Sequence, residues 1–202
     1  MITTVQSDQR QILADIARLH LPDGVIDYHL DATFGKGGFW PTADMGIVRI
    51  RSDRMACGNP AQNLRADFTA LPFQSGSIES MVLDPPFIHA AGKDSAMGKQ
   101  FGSYPTQFAL RLAYRRAILE AARVLQPGGV LVFKCQDIVE SGKQVWNHVD
   151  VLDRAGLYGL EAIDLFILHR ARPPMVGHNH GRQLHARKTH SYFWVFKKGG
   201  RA

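Results

Sequence analysis

Residues 78–87, with the sequence IESMVLDPPF, join a short apolar run to an acid, two prolines and an aromatic side chain. An apolar run of this length, followed by turn-forming residues, predicts a buried β-strand. Proline lacks an N–H and fixes φ, so the strand is expected to end at Asp84 in a stiff turn. The alternative is an ordinary strand-ending turn, in which Asp and Pro are common. Because ligands of open α/β sheets bind beyond the carboxyl ends of strands, we expect a site at Asp84.

The segments on either side of this stretch alternate between helix and strand patterns. The sequence predicts helices at residues 8–20, 106–125 and 141–156, and further strands at residues 25–30, 46–50, 130–133, 162–168 and 191–197. Such alternation indicates a mostly parallel, doubly wound α/β sheet. The last two strands are joined without a predicted helix, so we expect an antiparallel strand at one edge. The apolar face of the second helix is expected at Phe108, Leu112, Ile118, Leu119, Ala122 and Leu125.

Length and composition favour one globular domain over residues 1–202, since 45% of the residues are hydrophobic. No apolar run approaches the roughly 20 residues that span a bilayer, and residues 1–10 lack the apolar segment of a signal peptide. We therefore expect a cytoplasmic enzyme. Cys57 and Cys135 lack the spacing of metal ligands, and we expect reduced, buried thiols.

A basic segment, residues 169–190, separates the last two predicted strands. It contains no Asp or Glu, and it holds five of the nine histidines of a chain whose net charge is +6. This clustering predicts a phosphate-contacting insertion, with an exposed loop that has no partner as the alternative. No metal site is expected there, because no cysteine or acid lies among His178, His180, His185 and His190. Its cations are Arg170, Arg172, Arg182, Arg187 and Lys188.

The first predicted strand runs into a glycine-rich stretch, residues 31–38 (DATFGKGG). Glycines after a first strand let the backbone approach a ligand closely. Trp40 stands where the dinucleotide motif G-x-G-x-x-G has its last glycine, which counts against a dinucleotide site.

Two further acids follow predicted strands or turns. Asp53 comes at the end of the second strand of the sheet, where a carboxylate can accept hydrogen bonds from both ribose hydroxyls of a nucleoside. A solvated turn acid is the alternative. At residues 67–68, an acid beside an aromatic ring could bind an adenine amino group and cover the base. The candidate cofactor-binding residues are thus Asp31, Thr33, Phe34, Gly35, Gly37, Asp53, Asp67 and Phe68.

Taken together, these motifs resemble a known family. Residues 34–38 followed later by residues 84–87 resemble the two signature motifs of DNA and RNA amino methyltransferases, in their unpermuted order. Residues 122–133 (ARVLQPGGVLVF) are similar to the helix–turn–strand of class I methyltransferases that use S-adenosyl-L-methionine (SAM). Residues 184–197 are similar to bacterial and phage proteins described as DNA methylases. The resemblance implies a Rossmann-like class I fold with a seven-stranded sheet, SAM as cofactor and methyl transfer to the N6 amino group of adenine in DNA.

The resemblance also implies a mechanism. The amino group of the base would donate hydrogen bonds to the Asp84 carboxylate and the Pro85 carbonyl, and Phe87 would stack on the base. The target base would first leave the duplex, at a cost of a few kcal/mol. Methylation of a cytosine ring carbon is not expected, because neither cysteine follows a proline. The candidate catalytic residues are Asp84, Pro85, Pro86 and Phe87.

Several alternatives stay open from the sequence. The same motifs are compatible with adenine N6 in RNA, cytosine N4 in DNA, a protein amine, or a nucleic-acid-binding module without catalysis. A chain of 202 residues leaves little room for a separate target-recognition domain. The candidate phosphate contacts are Lys93, Lys99, Arg170, Arg172, Arg187 and Lys188.

Overall fold

The structure is a computed structural model that describes residues 1–40, 48–55, 58, 60–88, 104–170 and 184–200. Within these residues the helices are α1 (Gln9–His20), α2 (Gln107–Val124) and α3 (Asn147–Leu157). The strands are β1 (Val5–Gln6), β2 (Tyr28–Asp31), β3 (Val48–Asp53), β4 (Leu64–Arg65), β5 (Ile78–Leu83), β6 (Leu125–Cys135), β7 (Ile138–Glu140), β8 (Lys143–Val145), β9 (Leu160–His169) and β10 (His190–Lys198). None of these helices is long and apolar enough to cross a lipid bilayer.

The described strands form one eight-stranded sheet in the order β4-β3-β2-β5-β6-β10-β9-β1, with β7 and β8 as a separate hairpin. All neighbours in the large sheet are parallel except β10, which runs antiparallel to both β6 and β9. The predicted mostly parallel α/β sheet is therefore confirmed.

Two details of the sheet differ from the prediction. The two-residue strand β1 pairs with β9 and brings the described strands of the large sheet to eight rather than seven. The antiparallel strand β10 lies inside the sheet, not at its edge. Burial explains this order, because β10 buries Phe193, Val195 and Phe196, whereas residues 161–163 of β9 are exposed. The more apolar strand takes the interior position.

The helix that we predicted over residues 141–156 is wrong in its first half. Residues 138–145 instead form the β7–β8 hairpin, in which Glu140 pairs with Lys143. Its two loop residues, Ser141 and Gly142, both have positive φ, at 49° and 74°. A two-residue loop with positive φ at both positions matches the right-handed twist of a hairpin. The Ser141-Gly142 turn therefore favours a hairpin at these residues over the start of a helix. Helix α3 begins only at Asn147.

Helices pack on both faces of the sheet. On one face α1 buries Ile12, Leu13 and Ile16 against β10 and its neighbours, and on the other face α2 packs against β5 and β6. The apolar face predicted for α2 is wrong at Phe108 and Leu119, which are 77% and 49% exposed. Half of the buried residues are alanines, which hydrophobic periodicity underweights. The buried residues are Leu110, Ala113, Tyr114, Ala117, Ile118, Ala121, Ala122 and Val124.

Parallel strands bring their carboxyl ends to one edge of the sheet. Strands β2, β3 and β5 end at Asp31, Asp53 and Leu83, and they are neighbours. The three predicted acidic positions at these ends, Asp31, Asp53 and Asp84, therefore lie along a single edge. This edge carries the candidate site.

Candidate active site

The residues after β2 fold back around the carboxylate of Asp31. Its Oδ1 accepts a hydrogen bond from the Thr33 backbone N–H at 2.9 Å, and its Oδ2 accepts one from the Trp40 indole at 2.8 Å. Burial raises the pKa of Asp31 to about 7, against the hydrogen bonds that favour its ionised form. Asp31 thus stabilises the glycine loop by accepting hydrogen bonds from residues at both of its ends. A direct contact between Asp31 and a cofactor stays a prediction.

The glycine loop, residues 33–38, is fastened to the end of β3. The Gly35 N–H donates to Asp53 Oδ2 at 2.9 Å, and the Phe34 N–H donates to the Ser52 carbonyl at 2.9 Å. Gly35 and Gly37 have φ of 54° and 77°, a region that side chains disfavour. The structure therefore brings the glycine loop and Asp53 together, as the sequence predicted.

Asp53 keeps acceptor capacity beyond these contacts. Its Oδ1 accepts a hydrogen bond from the Met55 N–H at 2.8 Å. Because each carboxylate oxygen can accept about two hydrogen bonds, Asp53 remains able to bind ribose hydroxyls. The backbone contacts fix the direction in which the carboxylate points.

Asp67 is organised in the same way. Its Oδ1 accepts hydrogen bonds from the Thr69 N–H at 2.8 Å and the Thr69 hydroxyl at 2.7 Å. Phe68 packs into the hydrophobic core, so most of its ring is already covered by protein. Sequence reasoning missed Tyr104, whose pKa is raised by burial and responds to the charges of Arg54, Asp67 and Asp53. Tyr104 therefore lies within electrostatic reach of both acids.

The motif at residues 84–87 is held from two sides. The Asp84 N–H donates to the Thr33 hydroxyl at 2.7 Å, which ties the motif to the glycine loop. The Tyr114 hydroxyl of α2 donates to the Pro86 carbonyl at 2.8 Å. Pro85 is buried, whereas Asp84 and Phe87 are partly exposed. The predicted acid, stiff turn and aromatic ring are thus positioned together at the end of β5.

The carboxylate of Asp84 has two unlike oxygens. Oδ2 lies 3.2 Å from Nζ of Lys134, whose side chain is only 4% exposed, against 26% for that of Asp84. Oδ1 is buried and accepts no hydrogen bond from the described part of the chain. Burial raises the pKa of Asp84, and the positive charges of Lys134 and Arg170 offset part of that rise. Among the described residues, the carboxylate therefore presents one buried acceptor atom without a donor.

Lys134 was missed in the sequence, where only a strand at residues 130–133 was identified. Its ammonium lies 4.6, 5.4 and 5.5 Å from the ring centroids of Phe39, Phe87 and Phe193. It also donates to Gln9 Oε1 at 3.3 Å. The available signal was a lysine inside the otherwise apolar sequence VLVFKC of β6.

Three of the six predicted phosphate contacts belong to the described residues. The Arg170 backbone N–H donates to the Thr189 carbonyl at 2.8 Å, and the positive charge of the Arg170 side chain lowers the pKa of Asp84. Arg187 is exposed, and Lys188 Nζ lies 5.0 Å from the ring centroid of Trp146. Lys93, Lys99 and Arg172 lie outside the described residues. Among the three described candidates, Arg170 is the one whose charge lowers the pKa of Asp84.

The histidines of the basic segment make separate contacts. His185 Nε2 lies 2.7 Å from the Gly142 carbonyl, and His190 Nε2 lies 2.8 Å from the Tyr192 hydroxyl. His178 and His180 are not among the described residues. Across the residues that are described, no three His, Cys, Asp or Glu side chains cluster as metal ligands.

No protein-family model and no curated protein matches the chain. Among solved structures, the Burkholderia thailandensis 1,6-didemethyltoxoflavin-N1-methyltransferase is 12% identical, over 95% of this chain and 79% of that one, with a TM-score of 0.59. A candidate methyltransferase of Bacillus halodurans C-125 is 14% identical over 94% of this chain and all of that one, with a TM-score of 0.52. The chain has the class I methyltransferase fold.

A candidate DNA modification methylase of Thermus thermophilus, in complex with SAM, is 22% identical over 68% of this chain, with a TM-score of 0.48. The chain spans about half of that protein, covering 55% of its length. The class I fold predicted from the sequence is confirmed by the full-length matches. Fold alone does not set the reaction, which depends on the groups at the carboxyl edge of the sheet.

Proposed function

We propose that this chain transfers a methyl group from SAM to the N6 amino group of adenine in DNA. The observation that supports this most strongly is the carboxylate of Asp84. One of its oxygens pairs with Lys134 and the other is a buried acceptor that no described residue fills. An exocyclic amino group offers N–H donors to such an acceptor.

The glycine loop and the acids beside it fit SAM. Gly35 and Gly37 present backbone without side chains, and Asp53 points a fixed carboxylate at the same edge of the sheet. We assign Asp53 to the ribose hydroxyls, and Asp67 with Tyr104 to the surroundings of the adenine ring. The Burkholderia protein of this fold holds S-adenosylhomocysteine, the demethylated form of SAM. When bound, SAM supplies a sulfonium methyl group, which passes to nitrogen as the carbon–sulfur bond breaks and sulfur keeps the electron pair.

The motif at residues 84–87 would prepare the nitrogen. The lone pair of an exocyclic amino group is delocalised into the base, which makes the nitrogen a poor nucleophile. Hydrogen bonds to Asp84 Oδ1 and to the Pro85 carbonyl favour a tetrahedral nitrogen whose lone pair is free to attack. The Tyr114 hydrogen bond already engages the Pro86 carbonyl, so we assign the Pro85 carbonyl to the substrate. The proton that nitrogen gives up is accepted at Asp84 Oδ1.

The remaining side chains would hold the base and its backbone. Phe87 is partly exposed beside Asp84 and offers a ring face for stacking. Arg170, Arg187 and Lys188 provide positive charge for phosphates near the same edge. DNA is preferred to RNA on the resemblance of residues 184–197 to DNA methylases.

The test is methyl transfer from labelled SAM to three pools: adenine-containing duplex DNA, RNA of matching sequence, and protein. After digestion, nucleoside analysis should place the label on N6-methyldeoxyadenosine. Label on N4-methylcytosine would correct the base, and label in RNA would correct the nucleic acid. Label in protein alone, or in no pool, would contradict the proposal.

A further inference from the structure

Lys134 is an unusual residue for the position it occupies. It is the next-to-last residue of β6, an interior strand of the sheet. Its side chain is 4% exposed, and its ammonium lies among the rings of Phe39, Phe87 and Phe193. Burying a charge is costly unless it is paired and hydrogen-bonded. Replacing a buried ion pair by apolar side chains is often neutral or stabilising. Stability of the fold therefore gives no sufficient reason for a lysine here.

Both side-chain hydrogen bonds that the structure describes for Lys134 connect it to the candidate site. Its Nζ is 3.2 Å from Asp84 Oδ2 and 3.3 Å from Oε1 of Gln9, the first residue of α1. The Gln9 amide in turn donates to the Gly38 carbonyl at 3.0 Å. Lys134 and Gln9 thus join the catalytic motif to the glycine loop through a chain of three hydrogen bonds. Asp84 and the loop are also joined directly, through Thr33.

The ion pair engages only one carboxylate oxygen. With Oδ2 held by Lys134, the Asp84 side chain has little freedom to rotate, and Oδ1 is left as the acceptor. The same ammonium favours the ionised carboxylate, which burial disfavours. Both effects bear on the two properties that the proposed mechanism requires of Asp84, its direction and its negative charge.

We propose that Lys134 is a positioning residue for methyl transfer, which holds Asp84 ionised and directs its Oδ1 toward the amino group of the substrate. This role rests on the function proposed above. Lys134 itself touches neither substrate nor cofactor in this role, and it acts through Asp84.

Other groups also face Asp84 from the elements around it. They are Asp31 at the end of β2, Cys135 on β6, Tyr114 on α2 and Arg170 after β9. Only Lys134 and Arg170 among them are cations that lower the Asp84 pKa, and Arg170 is exposed to solvent. Removing the Lys134 charge should therefore raise the Asp84 pKa more than removing any other charge among the residues that the structure describes.

The decisive variant is Lys134→Met, which removes the charge and keeps a long side chain that packs well against aromatic rings. Lys134→Gln is the second variant, because it keeps a hydrogen-bond donor without the charge. Lys197→Met is the matched control, since Lys197 is an exposed lysine on the neighbouring strand β10. Lys134→Arg tests whether a positive charge alone restores the function.

The first measurement is a carboxyl carbon-13 NMR titration of Asp84, assigned by comparison with Asp84→Asn. Lys134→Met and Lys134→Gln should raise the Asp84 pKa by about one to three units, the usual effect of an adjacent opposite charge. Lys197→Met should leave the Asp84 pKa unchanged, and Lys134→Arg should bring it back close to the wild-type value. An Asp84 pKa that is the same in Lys134→Met and wild type overturns the proposal. This titration does not depend on turnover or on the identity of the substrate.

The second measurement is single-turnover methyl transfer to duplex DNA against pH. The acid limb of the pH–rate profile for Lys134→Met should move to higher pH by the same amount as the NMR pKa. At a fixed pH on that limb, the rate should fall roughly tenfold for each unit by which the pKa rises. SAM affinity should stay within a few-fold, because Lys134 reaches the glycine loop only indirectly, through Gln9. An active wild type with an unchanged profile in Lys134→Met overturns this role alone. A wild type inactive on every nucleic acid overturns the proposed function and this role with it.

Discussion

The two halves of the candidate site are held in place by contacts of different range. In the cofactor half, Asp31, Asp53 and Asp67 each accept a hydrogen bond from the backbone N–H two residues ahead. In the substrate half, Asp84 is held by Thr33 and Lys134, which lie 51 and 50 residues away in sequence. Local turns orient the three carboxylates of the first half, and contacts distant in sequence orient Asp84 in the second. A substitution at Asp53 should therefore disturb mainly the cofactor half, and one at Asp84 mainly the substrate half.

The largest effect is expected from Asp84→Asn, which replaces the carboxylate by a neutral amide of the same shape. Removing one preorganised electrostatic partner of a reacting group typically slows a reaction by about 100-fold or more. We expect a loss of that size in single-turnover methyl transfer. Asp23→Asn, in an exposed turn, is the matched control. Equal rates for Asp84→Asn and wild type would show that the nitrogen is bound elsewhere.

The pKa of Asp31 sets a second test, on stability. Its folded-state pKa is about 7 and its ordinary value is 3.8, so the folded chain holds a proton over that interval that the unfolded chain releases. The contribution of Asp31 to stability should therefore be greatest below pH 3.8 and should be lost as pH rises toward 7. Asp84, whose pKa is also raised, acts in the same direction.

The measurement is the free energy of unfolding by urea at pH 5.5 and pH 8, without cofactor. Wild type should lose on the order of 1–3 kcal/mol between the two, and Asp31→Asn, which cannot ionise, should lose less. At pH 5.5 the variant should be less stable by about 1 kcal/mol, because an amide nitrogen cannot accept the hydrogen bond that the second carboxyl oxygen of Asp31 accepts. This difference should shrink or reverse by pH 8, where wild type has lost more stability than the variant. Parallel pH dependence in the two proteins would show that Asp31 is not the group responsible.

The same difference in range separates what sequence could predict from what it could not. Strand β5 was predicted with its observed bounds, because an apolar run followed by Asp-Pro-Pro is a local signal. The glycine loop and Asp53 were also assigned to one cofactor site, since both follow predicted strands. The structure joins them through a hydrogen bond, and their contact with a cofactor stays a prediction. Lys134 and Tyr114 were missed because their roles come from the pairing of β5 with β6 and the packing of α2.

Topology shows the same limit. The sequence indicated the antiparallel strand, but its position between β6 and β9 depends on which strand buries more apolar surface. The Ser141-Gly142 turn was local and could have been recognised, but the helical pattern around it prevailed.

The smallest effect is expected in the basic segment, where we predict phosphate contacts at Arg187 and Lys188. Changing both to Ala should weaken DNA binding to a similar degree for different sequences, because phosphate contacts carry little sequence information. The slope of log affinity against log salt should fall by about 0.9 for each phosphate that the variant no longer neutralises. Arg49→Ala is the control, because Arg49 lies near the amino end of β3, away from the carboxyl ends of the strands that carry the candidate site. An unchanged slope would show that the segment does not bind the backbone.

The division between the two halves is tested most directly by calorimetric titration of SAM into wild type, Asp53→Ala and Asp84→Asn. We expect wild type to bind SAM. Asp53→Ala should bind it more weakly by about 1.5–3 kcal/mol, the usual loss for a hydrogen bond to a charged group. Asp84→Asn should bind SAM within a few-fold of wild type while failing to transfer the methyl group. A wild type that does not bind SAM, or equal losses of affinity in the two variants, would contradict the assignment of Asp53 to the cofactor and Asp84 to the substrate.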